Sequence, residues 1–297
     1  MIDAGRRGLG LAAPGAASTA LAIGSLLTAM VSFDVGAAIA KGLFAQVGAP
    51  GAAALRLAFG APLLAAAFRP WRARPTRSAW VSIAAYGAAL GVMNLLFYLA
   101  LSSVPLGLAV AVEFTGPLAV AMFASRRPID FLWIVLCVAG LALIVRPTAS
   151  PLTRLDPRGV ACALGAGVCW ALYIVFGQRA GGQHGIQTTA LGMLIAALLI
   201  VPIGAFSAGG ALFAPQALAM GAALGVVGTA APYSLEMLAL TRLPARTYGI
   251  LSSLAPAIGA LAGLVLLGQV LSLAQCLAIA AIVAASIGAT ATIRGPR

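Results

Sequence analysis

The sequence predicts an all-α integral membrane protein: ten transmembrane helices in two inverted five-helix repeats. Three observations predict it, namely composition, ten long apolar runs, and an internal match at a fixed offset. Of 297 residues, 62% are hydrophobic and only 8% charged, with a mean hydropathy of +1.06. A water-soluble domain carries about 25% charged residues because its surface must be covered. Eighteen Lys and Arg, six acids and one His are too few to cover one.

A helix spans the hydrocarbon core with about 20 apolar residues. Such runs lie at 19–40, 49–68, 79–101, 104–124, 130–146, 159–178, 186–206, 215–240, 243–267 and 270–292. The gaps at Ser102-Ser103 and Gly268-Gln269 are short enough to require tight helical hairpins. Membrane β-barrels alternate apolar and polar residues over segments of about 10 residues, and these runs do not alternate. Residues 1–17 read as a cytoplasmic tail. Its Arg6-Arg7 pair faintly resembles a twin-arginine export signal, but with nine further apolar segments behind the first it reads as an inner anchor, and no cleaved signal is expected.

Basic residues set the orientation. With the N-terminus inside, the cytoplasmic segments hold Arg6, Arg7, Arg69, Arg72, Arg74, Arg77, Arg126, Arg127, Arg179, Arg242, Arg246, Arg294 and Arg297, thirteen in all. The outer segments hold four, Lys41, Arg146, Arg154 and Arg158, and Arg56 lies within a span. Both termini are therefore expected in the cytoplasm. The net charge of +12 is spread over these short gaps, whereas nucleic-acid binders gather it on one solvated patch, so no nucleic-acid partner is expected.

The string Tyr98-Leu-Ala-Leu-Ser-Ser-Val-Pro105 returns as Met237-Leu-Ala-Leu-Thr-Arg-Leu-Pro244, an offset of 139, and Pro117 meets Pro256 at the same offset. A weaker match near 136 aligns Ala54-Leu55-Arg56-Leu57 with Ala190-Leu191-Gly192-Met193. Two five-helix units follow, 18–146 and 159–293, joined by an external linker over 147–158 and ending in a cytoplasmic tail over 294–297. Five is odd, so the second unit enters the membrane inverted. Many secondary transporters are built this way, with the substrate site near the midplane between the halves. A duplicated structural bundle is the alternative.

Ionisable groups at the centre of a span cost roughly 2.5–3.5 kcal/mol on insertion scales, so each calls for a reason. Glu113 lies nine residues beyond Val104, about 14 Å deep, with Pro117 four residues later. Proline donates no N–H, so the Glu113 carbonyl loses its helical partner and the helix kinks. Carboxylate and freed carbonyl then make an acceptor-rich spot for an ammonium group or a proton. In the second unit Pro256 frees the carbonyl of Ser252, and Ser252 and Ser253 offer hydroxyls in place of a carboxylate. Asp34 and Arg56 stand at matching depths, about 10 Å below the outer surface, which predicts an ion pair. The pair serves either as a structural clamp or with Arg56 holding a substrate carboxylate. Glu236 sits about a turn from the inner end of its span and reaches Arg242 or water. Asn94, Tyr98, Trp170, Tyr173 and Tyr233 either line a cavity or simply pack.

Gly87-x-x-x-Gly91, Gly221-x-x-x-Gly225 and Gly259-x-x-x-Gly263 are packing signals. Cys137, Cys162, Cys169 and Cys276 lie in apolar runs without partners and read as small core residues; no metal, disulfide or cofactor is expected. No zinc-protease, serine-nucleophile or phosphate-loop motif appears, which excludes a recognisable enzyme or ATP-driven pump. Filter rings and a soluble domain are equally missing. A secondary transporter remains, with a non-transporting scaffold as the remote alternative.

Several strings carry a resemblance over nearly the whole chain. They include Gly36-Ala-Ala-Ile-Ala-Lys41-Gly-Leu-Phe44, Gly48-Ala-Pro-Gly51, Ala54-Leu-Arg56-Leu57 and Asn94-Leu-Leu-Phe-Tyr98. Others are Val104-Pro-Leu-Gly107, Glu113-Phe-Thr-Gly-Pro-Leu-Ala-Val-Ala121, Ser125-Arg-Arg-Pro128, Gly177-Gln-Arg-Ala-Gly181 and Pro232-Tyr-Ser-Leu-Glu236-Met237. Together they resemble the EamA type of the drug/metabolite transporter superfamily, in its threonine/homoserine exporter branch. The resemblance implies ten helices in two inverted halves around a central cavity, in a bacterial inner membrane. It also implies export of small hydrophilic amino acids against entering protons, or of another metabolite or drug. Exporters of this group tend to carry acids just before the Pro of span nine, where this chain has Ser253-Leu254-Ala255-Pro256. Glu113 is left as the main proton and ammonium candidate, and the oligomeric state is left open.

Overall fold

The computed structural model describes residues 16–73, 75–123, 128–145, 155–184 and 186–292. Both expected tails, save Ala16 and Ala17, and most of the expected linker lie outside the described residues. All the regular structure among the described residues is helical. Seven of these helices are long and apolar enough to cross a membrane, and shorter apolar helices accompany them.

The first helix, α1 (Ala16–Phe68), has 53 residues, or about 80 Å at 1.5 Å per residue. That is more than twice the roughly 30 Å of a hydrocarbon core. It breaks once, at Gly48 (φ 68°, ψ 172°), a backbone state that glycine adopts without steric cost. Pro50 sits in the first turn of the second limb, where a missing N–H costs nothing. The apolar runs predict a loop over residues 41–48. The chain instead stays helical through Val47, because no residue between Lys41 and Val47 is a strong breaker except Gly42, which a helix tolerates.

Next come α2 (Arg77–Leu101), capped by the Thr76 hydroxyl accepting from the Ala79 N–H, then α3 (Leu106–Glu113) and α4 (Thr115–Phe123). They are followed by α5 (Pro128–Val145), α6 (Pro157–His184), α7 (Ile186–Ala208) and α8 (Pro215–Gly225). A π-helical turn, Val226–Ala230, joins α8 to α9 (Ala231–Arg242). The chain closes with α10 (Ala245–Ser252), α11 (Ala255–Leu267) and α12 (Leu273–Thr292). Gly268, at φ 62°, turns the chain between the last two.

The α3/α4 and α10/α11 rods are built alike. Each starts after a proline at ψ 142°, runs for eight residues, and bends where the next N–H turns back on the rod. Phe114 donates to Val110 and Ser253 to Gly249. Both bends lie just before the prolines that cannot donate, Pro117 and Pro256.

Helices from the two ends of the sequence interleave: α2 packs on α6, α1 on α7 and α8, α3 on α11, and α5 on α12. The tightest approach joins the α3/α4 bend to α6. A Cβ on Gly116 would lie 1.9 Å from the Gly167 carbonyl oxygen, and one on Gly167 would lie 2.7 Å from the Glu113 carbonyl oxygen. Backbone meets backbone there, as small residues allow between membrane helices. Overpacking a tight core costs about 1–3 kcal/mol or more. Gly167→Val should therefore lower the melting temperature in detergent by several degrees or prevent folding. Gly24→Ala, with nothing within 4 Å of its new methyl, should melt like the parent.

Large apolar side chains cover the outside, among them Phe206 at 95% exposure and Val270 at 83%. In water such a surface would drive association; against lipid tails it is the natural solvent face. The cysteines follow the same logic. Cys137 is buried, but Cys276 is exposed on α12, not the core residue expected. In a membrane protein an apolar run places a residue in the bilayer, not inside the bundle.

Candidate functional site

A cavity of about 500 Å³ opens within the bundle, walled by both limbs of α1, α2, the α3/α4 bend, α6, α9, α10, the start of α11 and α12. Three of the six acids of the chain line it, Asp34, Glu113 and Glu236, together with Arg56. Such a concentration in an apolar bundle makes this cavity the candidate site.

Arg56 is 7% exposed and is held on one side by neutral acceptors. Its Nε–H donates to Thr229 Oγ1 at 3.0 Å and an Nη2–H to the Gly228 carbonyl at 2.7 Å. Its guanidinium carbon stands 5.6 Å from the centroid of the Tyr98 ring, a cation–π contact. Both hydrogen-bond acceptors belong to the π-helical turn, and their availability has a local cause. Pro232 has no N–H, so it serves neither Gly228, four residues back, nor Val227, five back. The Val227 carbonyl takes the Ser32 hydroxyl instead, at 2.6 Å.

The ion pair expected between Asp34 and Arg56 is not formed. Arg56 meets the carbonyl and hydroxyl of the next helix first, and Asp34 makes no hydrogen bond or ion pair among the described residues. Glu113 is likewise without a hydrogen bond, although both Arg56 and Asp34 act on it electrostatically. Its freed carbonyl does not join the carboxyl in the cavity as expected, since it is pressed against Gly167. Only the side chain is left to meet a ligand. Glu236, expected to reach Arg242 or water, accepts a hydrogen bond from the Tyr248 hydroxyl, which α10 brings alongside α9.

The remaining expected residues divide. Asn94, Trp170, Tyr173, Tyr233 and Ser252 line the cavity. Asn94 also donates from Nδ2 to the Leu90 carbonyl at 2.8 Å. Trp170 stands edge-on to Phe114 (5.6 Å between centroids), Tyr173 stacks on Tyr86 (4.7 Å), and Tyr233 meets Phe33 edge-on (5.2 Å). Two residues are not at the cavity. Tyr98 is fully buried behind Arg56 with its hydroxyl unpartnered, and Ser253 is turned away, bonded to the Gly249 carbonyl and to Ser286. Pro117 lines the cavity, whereas Pro256 shapes its rod from outside the wall.

Thr229, Gly228, Ser32 and Tyr248 were missed by the sequence reading. A signal existed for Gly228: Pro232 frees the carbonyl four residues before it, as Pro117 does for Glu113.

Similarity to known proteins agrees with this architecture. Residues 157–291 match the EamA-like transporter family. The chain is 54% identical over 269 residues to the threonine/homoserine exporter RhtA of Escherichia coli (strain K12), covering 91% of each chain. It is 55% identical over 269 residues to the protein of the same name from Salmonella typhimurium (strain LT2), again over 91% of each. The uncharacterized transporter YwfM of Bacillus subtilis is 31% identical over 159 residues, about half of either chain. A solved crystal structure shares the fold with a TM-score of 0.61, over 93% of this chain and 98% of that one, at 22% identity. The named relatives are transporters, and this chain is a transporter rather than an enzyme. With more than half of the aligned residues identical over nine-tenths of both chains, it belongs to the EamA-like transporter family.

Proposed function

We propose that the protein exports small hydrophilic amino acids, of the threonine and homoserine kind, across the bacterial inner membrane by alternating access in exchange for entering protons. It would do so as ten spans in two inverted repeats, 18–146 and 159–293, with the linker outside and both termini in the cytoplasm. The like-built rods at an offset of 139 and the interleaved packing support the repeat. In that orientation the cavity runs from the depth of Arg56 to Leu26, Leu240 and Thr290, all near cytoplasmic helix ends. It is then a loading state open to the inside.

The observation that carries the reading is the charge pattern of the cavity. One guanidinium, clamped by neutral groups, lies in the same cavity as two carboxyls that have no partner. A zwitterion fits that pattern, its carboxylate on Arg56 and its ammonium at Glu113 and Asp34. The surplus negative charge calls for a further cation, and an entering proton supplies it. Each charge moved through 100 mV provides about 2.3 kcal/mol.

Proteoliposomes loaded with labelled threonine test this. An acidic exterior should accelerate efflux over equal pH, a protonophore should abolish the acceleration, and external homoserine should exchange with internal label. Efflux no faster than from protein-free vesicles would overturn the reading.

A further inference from the structure

We infer that Thr229 and the π-helical turn before Pro232 position Arg56 as the carboxylate receptor of the cavity, so that a side chain and a backbone group outside the ligand's own contacts set its affinity. The inference deepens the amino-acid reading above and rests on it.

A guanidinium has five N–H donors in a planar fork. Two are committed, one to Thr229 Oγ1 at 3.0 Å and one to the Gly228 carbonyl at 2.7 Å. Three are left on a side chain that lines the cavity. Both acceptors are uncharged. Had Asp34 been the partner, its carboxylate would have cancelled the charge an anion needs. Neutral acceptors fix the orientation of the fork and leave its positive charge available. Thr229 is fully buried, so its hydroxyl competes for no water in that role.

The device exists in one half only. At the offset of 139, Met93 stands where Pro232 does, and Gly87–Gly91, opposite the π-helical turn, continue an unbroken helix. The first half has its own asymmetry, with Glu113 where the second half has Ser252. The two halves thus diverge in opposite senses: the second supplies the clamp that aims a cation at the ligand, and the first supplies a carboxyl. A ligand with a carboxylate and an ammonium uses both.

Thr229→Val keeps shape and removes the acceptor. Pro232→Ala restores an N–H that competes for the Gly228 carbonyl, a second route to the same release. Flux of labelled threonine in proteoliposomes, with the amino alcohol lacking the carboxylate (threoninol) as competitor, reads the effect. Each variant should raise the KM for threonine about tenfold with the maximal rate within twofold and with inhibition by threoninol unchanged. Thr229→Ser should restore the parental KM. If wild-type protein moves threonine and the variants leave its KM unchanged, the positioning role falls while the transport reading stands. The same holds if threonine and threoninol weaken together, since a loosened cavity affects both alike. If wild-type protein moves no threonine, the transport reading fails and this inference with it.

Discussion

Arg56→Ala should reduce the apparent affinity for threonine by about thirtyfold or more and bring export close to background. Truncating one partner of a buried charge-assisted pair costs about 2–5 kcal/mol, much of it from the charge left unpaired. Every 1.4 kcal/mol is tenfold. In this cavity the loss has three parts. On the reading proposed above, the substrate carboxylate loses a fork of donors. The Gly228 carbonyl and the Thr229 hydroxyl of the π-helical turn lose their donor. Asp34 and Glu113 are left in one cavity without the only cation among the residues lining it. Arg56→Lys separates these parts, because an ammonium keeps the charge but not the planar fork that spans Thr229 and Gly228 together. It should recover part of the affinity and remain well below the parent. Concentration-dependent flux, with a thermal melt of each variant, checks this. A lysine variant as good as the parent would show that charge alone matters at this position.

The same comparison shows what the residues declare in advance and what only packing decides. Long apolar runs and a 139-residue offset are one-dimensional signals, and the bilayer turns them into helices because unpaired backbone groups are too costly in lipid. The membrane class and the family could therefore be read directly. The prolines were equally legible, since a missing N–H acts four residues away on the same chain, as at Pro117 and Glu113. Partner choice was not. Asp34 and Arg56 match in depth, yet depth fixes one coordinate of three, and Arg56 met the π-helical turn of another helix before it met Asp34. Ser252 and Ser253 are neighbours in sequence, but a helix turns about 100° per residue. One lines the cavity and the other bonds to Ser286. Tyr248 could be placed beside Glu236 only once the α9 to α10 turn was seen.

Glu113→Gln should uncouple the transporter rather than simply disable it. Glutamine keeps the size of the side chain and an acceptor oxygen but cannot exchange a proton, so only steps that load or release one are lost. Glu113 suits this test because it carries no hydrogen bond whose removal would disturb the fold, and its backbone is fixed by Gly167 whatever the side chain. The variant should melt within a few degrees of the parent. Efflux driven by an acidic exterior should fall to the rate seen at equal pH, a loss of tenfold or more. Exchange of internal label for external threonine, which needs no net proton movement, should persist, with an affinity weakened by the missing ammonium contact. Asp34→Asn is the discriminating companion. Asp34 shares the cavity and also lacks a partner, but it stands on α1 and not on the rod that bends before Pro117. If Glu113 is the coupling group, Asp34→Asn retains acceleration by the gradient. If Asp34→Asn loses it and Glu113→Gln keeps it, the proton passes through Asp34 instead. Should both variants keep it, the driving ion does not use these carboxyls, and the membrane potential alone must be tested as the source.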